Sequence, residues 1–321
     1  MPSKPNERRS DTRSSGETRF RNLLSLAGGL EPALTAVAHP CDKQSLLGAL
    51  AAANAKLITP ILVAPESKLR ALAESLEVDL SPFEIVPAEH SHDAACRAVA
   101  LVRSTKAQIL MKGSLHTDEL MTQVVAKETG LRTERRVSHV FILDVPSYPR
   151  PLLITDAAIN IAPGLSDKRD IVQNAIELAL VLGVSVPKVA VLAAVEMVHP
   201  EMRSTVDAAA LCKMADRGQI AGGVVDGPLA FDNAISLEAA QAKGITSKVA
   251  GRADILVVPD LEAGNMLVKQ LQYLAGARAA GIVLGARAPI VLTSRADSAL
   301  EREVSCAVAL LLVRRRHQLT L

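Results

Sequence analysis

The sequence predicts an α/β protein built on mostly parallel sheets, and three observations carry that prediction. Short aliphatic runs recur along the chain, they are apolar throughout rather than alternating, and helical patterns separate them in regular order. A strand covered on both faces reads as a continuous apolar run, and strand–helix–strand order implies right-handed crossovers between parallel strands.

Taken in order, residues 1 to about 20 (MPSKPNERRSDTRSSGETRF) hold almost nothing to bury and read as a disordered polar tail. The expected strands begin with LTAVAH (34–39), LITPILVA (57–64), FEIVP (83–87), QILMKG (108–113) and HVFILDV (139–145). They continue with LLITD (152–156), KVAVLAAV (188–195), AGGVVDG (221–227), DILVVPD (254–260), AGIVLGA (280–286) and PIVLTS (289–294). Apolar residues spaced by three and four mark helices between them, as over Asp167–Gly183 and Asp260–Arg278.

Composition narrows the function. The 321 residues carry 36 Lys+Arg against 34 Asp+Glu, a net charge of +2, and 49% are hydrophobic. That supports a large aliphatic core, and a length prior of about 150 residues per domain gives about two domains. Aromatic residues are only 2%, with no Trp, so neither the stacking platforms nor the basic groove of a nucleic-acid binder is present. The longest charge-free run is the twelve residues between Lys43 and Lys56, well short of the about 20 that span a membrane. The N-terminus lacks the apolar stretch of a secretory signal. Cys41, Cys96, Cys212 and Cys306 lie far apart, form no CxxC pair and read as core residues of a reduced, cytoplasmic chain.

Several chemistries lack their signatures. There is no GxxxxGK[ST], no GxGxxG after the early strands, no HExxH and no GxSxG. The histidines show no metal-ligand spacing beyond His90/His92, which read as surface residues at a helix start. Ligands of such sheets bind beyond the carboxyl ends of strands. Five of these ends carry polar residues: Lys112-Gly113-Ser114, Asp156 with Asn160, Asp226-Gly227-Pro228, Asp260 through Asn265, and Ser294-Arg295.

Four segments then resemble one family in the same order: PLLITDAAINIAP, VVDGPLAFDNA, VVPDLEAGNMLVKQL and PIVLTSRADSALERE. From about residue 107 to 310 the chain resembles the phosphate acetyl/butyryltransferases. The resemblance implies a two-domain fold like isocitrate and isopropylmalate dehydrogenases, with the active site in an interdomain cleft. It implies a discontinuous first domain, 21–143 plus 288–321, and a second of 144–287 that carries the homodimer contact. The implied reaction is acyl-CoA plus inorganic phosphate giving acyl phosphate plus CoA, with no metal and no cofactor beyond CoA as substrate. Acetyl is favoured and butyryl is the alternative. Two other readings stay open: an NAD- and metal-dependent oxidoreductase, for which no strand-end DxxxD pair is found, and a non-catalytic acyl-CoA-sensing module.

The matched positions supply the site. Ser294 and Arg295 correspond to the family's Ser-Arg pair; an arginine beside a helix N-terminus can grip phosphate through paired charge-assisted bonds. The family's general base, an aspartate seven residues after that serine, falls on Glu301. A capping box with Ser298 is an equal reading of Glu301, and Asp297 is a substitute base. Asp156, Asn160 and Pro163, and Asp260, Gly264, Asn265 and Lys269, match segments near the cleft, Gly264 by allowing close backbone approach. Lys112 and Gly113 end a strand before Thr117, expected to cap a helix over Asp118–Lys127. Arg132, Arg135 and Arg136 cluster where CoA phosphates could bind, or form a charged loop. Asp226, Gly227 and Asp232 read as a turn and helix cap.

Overall fold

The structure, a computed structural model, describes residues 11–293 and 297–315. Its first half runs α1 (Asp11–Ala27), β1 (Ala33–Ala38), α2 (Lys43–Asn54), β2 (Ile58–Ala64), α3 (Glu66–Ser75), β3 (Glu84–Pro87), α4 (Ser91–Arg103), β4 (Ile109–Lys112) and α5 (Thr117–Val124). It continues with β5 (Ser138–Asp144), β6 (Leu152–Thr155), α6 (Leu165–Val181), β7 (Lys188–Leu192), α7 (Arg203–Asp216), β8 (Val224–Leu229), α8 (Phe231–Ile235) and α9 (Leu237–Ala242). β9 (Ile255–Val257), α10 (Leu261–Leu274), β10 (Arg278–Leu284), β11 (Ile290–Val291) and α11 (Ala299–Arg315) complete it. Each apolar run of the sequence overlaps one of these strands.

The strands form one sheet in the order β3-β2-β1-β4-β11-β10-β5-β6-β9-β7-β8. Pairing is parallel on both flanks and antiparallel only in the centre, where β10 meets β11 and β5, and β5 meets β6. The sheet is therefore mostly parallel but reverses direction at its middle.

Its two faces are covered differently. Ile109 and Met111 of β4 point into a single continuous core, where α1, α2, α6 and α11 contribute Phe20, Leu46, Ile176 and Leu310. Leu110 points to the opposite face, where the apolar layer is split in two. One part lies under α4 and α5 (Val99, Leu120), the other under α8 to α10 (Ala234, Ala240, Val268). The central strands floor the gap between them.

Helix α11 explains a departure from the expected tail. Val304 and the residues from Cys306 to Leu312 are all buried, so the helix is apolar on every side and needs covering on every side. Helix α1 supplies that cover: Phe20 is fully buried, and Arg19 pairs with the buried Asp144 at 3.0 Å. Residues 11–20, expected disordered, are helical because of this partner. Two smaller expectations also change. Asp226 and Gly227 lie within β8 rather than in a turn, and Cys96 is exposed rather than in the core. No described helix is long and apolar enough to cross a membrane.

Candidate active site

Two hollows adjoin α5, one in the gap and one between α5, residues 132–137 and the first turns of α6. The first, a cleft of about 400 Å³, is walled by Lys112, Leu115 and Thr117 from the β4–α5 turn and by Lys269 and Gln272 of α10. His139, Phe141, Gly281 and Leu292 floor it, and Thr293 and Asp297 close its rim.

The β4–α5 turn is shaped by a backbone crossing. A Cβ on Gly113 would come within 2.5 Å of the carbonyl oxygens of Ala38 and His39, so only glycine lets β4 leave the sheet against the end of β1. Ser114 locks the crossing: its Oγ donates to His39 O at 2.9 Å and accepts from Cys41 N at 3.1 Å. Burial, assisted by nearby Lys68, lowers the His39 pKa. Lys112 is buried, with Nζ 3.3 Å from Gly113 O and 3.2 Å from Leu115 O. Thr117 is the first residue of α5; the cap position falls to His116, whose side chain makes no capping bond, and the helix stops at Val124.

Ser294 and Arg295 lie outside the described residues, while their neighbours Thr293 and Asp297 both line the cleft. Glu301 forms the capping box. Its Oε2 accepts from Ser298 N at 2.7 Å and from Ser298 Oγ at 2.8 Å, and its Oε1 accepts from Ala279 N at 3.0 Å. Both carboxylate oxygens thus tie α11 to its own first turn and to β10.

The second hollow, about 580 Å³, lies on the other side of Thr117 and Ala158 and is lined by Asp118, Arg132, Thr133, Arg136, Ile159 and Asn160 among others. Asn160 lines it and Asp156 lies behind Asn160; both are buried. The Asp156 carboxylate accepts from Ala158 N, Ile159 N and Asn160 N at 3.0–3.2 Å and from Asn160 Nδ2 at 2.5 Å. Burial nevertheless pushes its pKa up. Asn160 also donates to Val137 O at 2.9 Å and accepts from Arg136 Nε at 2.6 Å. The pair is therefore a bracket for Arg136. Arg135 is tied to Glu177, whereas Arg132 has no acidic partner among the described residues.

Other expected residues serve packing. A Cβ on Gly264 would sit 2.6 Å from Val258 and 2.9 Å from Ala157, so this glycine lets α10 approach the loop after β6. Asn265 is exposed, with its amide 3.4 Å from Ala157 O. Asp260 caps α10 by accepting from Ala263 N at 2.9 Å. Neither Gly264 nor Asn265 lines the two hollows. Lys269, one turn along, does line the cleft. No group of three potential metal ligands occurs among the described residues.

His139 went unnoticed in the sequence because it opens an ordinary aliphatic strand. It is buried, its Nδ1 has no hydrogen-bond partner among the described residues, and desolvation pushes its pKa down to about 3. A histidine and an aromatic residue two apart in a strand, hence on one face, was the available signal.

With this geometry in hand, comparison with known proteins is decisive. Residues 87–310 match the family model described as phosphate acetyl/butaryl transferase. The chain belongs to this family. It is 62% identical over 299 residues to a phosphate acetyltransferase of Rhizobium meliloti, covering 93% of this chain and 95% of that one. It is 43% identical over 296 residues to a phosphate butyryltransferase of Clostridium beijerinckii, covering 92% and 98%. A branched-chain phosphotransacylase from Enterococcus faecalis V583 superposes with a TM-score of 0.77 at 32% identity, covering 88% and 99%. In a phosphate acetyl/butaryl transferase, the cleft and the arginine-lined hollow beside it acquire a chemical reading.

Proposed function

We propose that the paired hollows along α5 are where this protein transfers a short acyl group, acetyl by preference, between coenzyme A and inorganic phosphate. The reaction is acyl-CoA plus phosphate giving acyl phosphate plus CoA, and it is reversible. The observation that carries the reading is a cleft combining Lys112, Lys269 and Asp297 in a chain so similar to a named phosphate acetyltransferase. The two flanks of the sheet act as two domains, with the groove between them.

Phosphate chemistry needs cations and donors around a dianion. Lys112 and Lys269 both line the cleft, and Arg295, two residues beyond Thr293 in the sequence, completes the grip with Ser294. The CoA phosphates take the second hollow. Arg132 is the arginine available to them, because Arg136 is already held by Asn160. In the direction of thioester synthesis, Asp297 removes the thiol proton of CoA. The sulfur attacks the acyl carbon, and phosphate departs with the electrons of the broken C–O bond. Asp297 is taken as the base because it lines the cleft, which Glu301 does not.

Transfer is direct, without an acyl-enzyme. Burial raises the thiols of Cys41, Cys212 and Cys306 to about 11, 12 and 12, leaving almost no thiolate near neutral pH. No cofactor beyond CoA takes part. The protein acts as a homodimer, a reading supported by exposed apolar side chains concentrated in its second half, including Met197, Tyr273 and Leu274.

Mixing the protein with acetyl phosphate and CoA, with neither metal nor NAD, tests the reading through the ultraviolet absorbance of the thioester. Turnover is expected, faster than with butyryl phosphate. Binding of acyl-CoA without turnover would defeat it.

A further inference from the structure

We propose that His139 is a catalytic hydrogen-bond donor of the transfer, its Nε2–H meeting the carbonyl oxygen of the acyl group at the floor of the cleft. The inference deepens the reading above and rests on it.

His139 is 2% exposed yet lines the cleft. A neutral imidazole carries one N–H, and the side that finds no acceptor is the poorer place for it. Nδ1 is sealed from solvent without a partner among the described residues, so the proton belongs on Nε2. That edge of the ring lies over Gly281, where a Cβ would come within 2.6 Å of Nε2. Gly281 also lines the cleft, so the absence of a side chain there makes room for the ring at the cleft floor.

The ring is held in place before any substrate arrives. Phe141 meets it edge-on, with centroids 4.3 Å apart at 63°, and Thr155 Oγ1 donates to the His139 carbonyl at 2.8 Å. Lys112, His116, Lys269 and Asp297 line the same cleft. Burial holds the imidazole neutral, with its pKa near 3, so it donates without titrating across the working range. A fixed donor aimed at an oxygen that gains negative charge as sulfur attacks lowers the barrier, because it needs no reorganisation during the reaction.

The test compares His139→Leu with His139→Gln in steady-state kinetics, each normalised to folded protein by thermal melting. The leucine variant is expected to lose about a hundredfold in kcat with the KM values for CoA and acetyl phosphate little changed, as when one oxyanion donor is removed. The glutamine amide reaches toward the Nε2 position and should recover most of that loss. The wild-type pH profile should show no inflection traceable to this ring. His139→Asn, whose amide stops short of Nε2, should behave like leucine and replaces it if leucine does not fold. Unchanged kcat in the leucine variant, or equal loss in leucine and glutamine variants, overturns the assignment. A rise in KM for the phosphate substrate alone overturns it too, moving the donor to the phosphoryl end. An inactive wild type overturns both this inference and the transfer reading, whereas an active wild type with an unimpaired leucine variant overturns this one alone.

Discussion

Asp156 and His139 are equally buried, each 2% exposed, one just past the end of β6 and the other on the neighbouring β5, yet their surroundings are opposite. The Asp156 carboxylate accepts four hydrogen bonds, and Asn160 beside it uses both its oxygen and its amide. His139 keeps one ring nitrogen with no partner at all among the described residues. Buried polar groups are almost always paired, because an unpaired one forfeits its hydration without return. A saturated cluster is scaffold: it fixes a loop and an arginine. The unpaired Nδ1 of His139 is sealed away from the cleft, and its lack of an acceptor leaves the ring proton on Nε2, the edge over Gly281 at the cleft floor.

The contrast can be broken from either side. The largest effect is expected from Asp297→Asn, which should lower kcat by about 10²–10⁴-fold if this group moves the thiol proton. Rapid-mixing kinetics with acetyl phosphate and CoA would measure it, and retained kcat would return the role of base to Glu301. Asn160→Ala comes next, since it strips Asp156 and Arg136 of a shared partner. A loss of about 3 kcal/mol in urea-unfolding free energy is expected, because a buried carboxylate loses its compensation. A loss near zero would show that the cluster is not scaffold.

A further effect, spread over several pH units, concerns His139. The unfolded chain protonates His139 near 6.5, whereas the folded chain refuses that proton until about 3. The lowered pKa therefore contributes stability above 6.5 that drains away as pH falls toward 3, at up to about 1.4 kcal/mol per pH unit. Unfolding measured at successive pH values should show this slope reduced in His139→Gln. Glu301→Gln should cost about 1 kcal/mol of stability, because the amide oxygen keeps the bond from Ser298 N while the bond from Ala279 N is lost. Its kcat should stay at the wild-type value, and a pH-shifted rate would instead make Glu301 the base. Replacing each cysteine by serine should alter turnover least of all; abolished turnover in a folded variant would defeat direct transfer.

Much of the fold was legible in the sequence because both faces of the central strands are buried, which leaves continuous aliphatic runs such as ILMK and RAAGIVL. The split of one face into two cores was not legible. Leu110 and Leu120 look no different in sequence from Leu143 and Val268, and only the sheet order separates them. The site was legible where chemistry follows spacing. The spacing of Ser298 and Glu301 offered the capping box as one of two equal readings, whereas the backbone crossing at Gly113 emerged only from the structure. His139 was not legible, because a buried imidazole in an aliphatic strand differs from a core residue only in what surrounds it. Helix α1 was missed for a related reason: its few apolar residues matter only once α11 lies beneath them.

By itself, then, the order of amino acids determined the α/β class, the approximate strands and the family, while only some of the expected caps formed. Those follow from interactions between residues a few positions apart, or from similarity along the chain. Tertiary structure alone decided which lysines and which carboxylate share the cleft, and which histidine has a ring nitrogen unpaired among the described residues. These depend on contacts between residues more than a hundred positions apart, which no local pattern encodes.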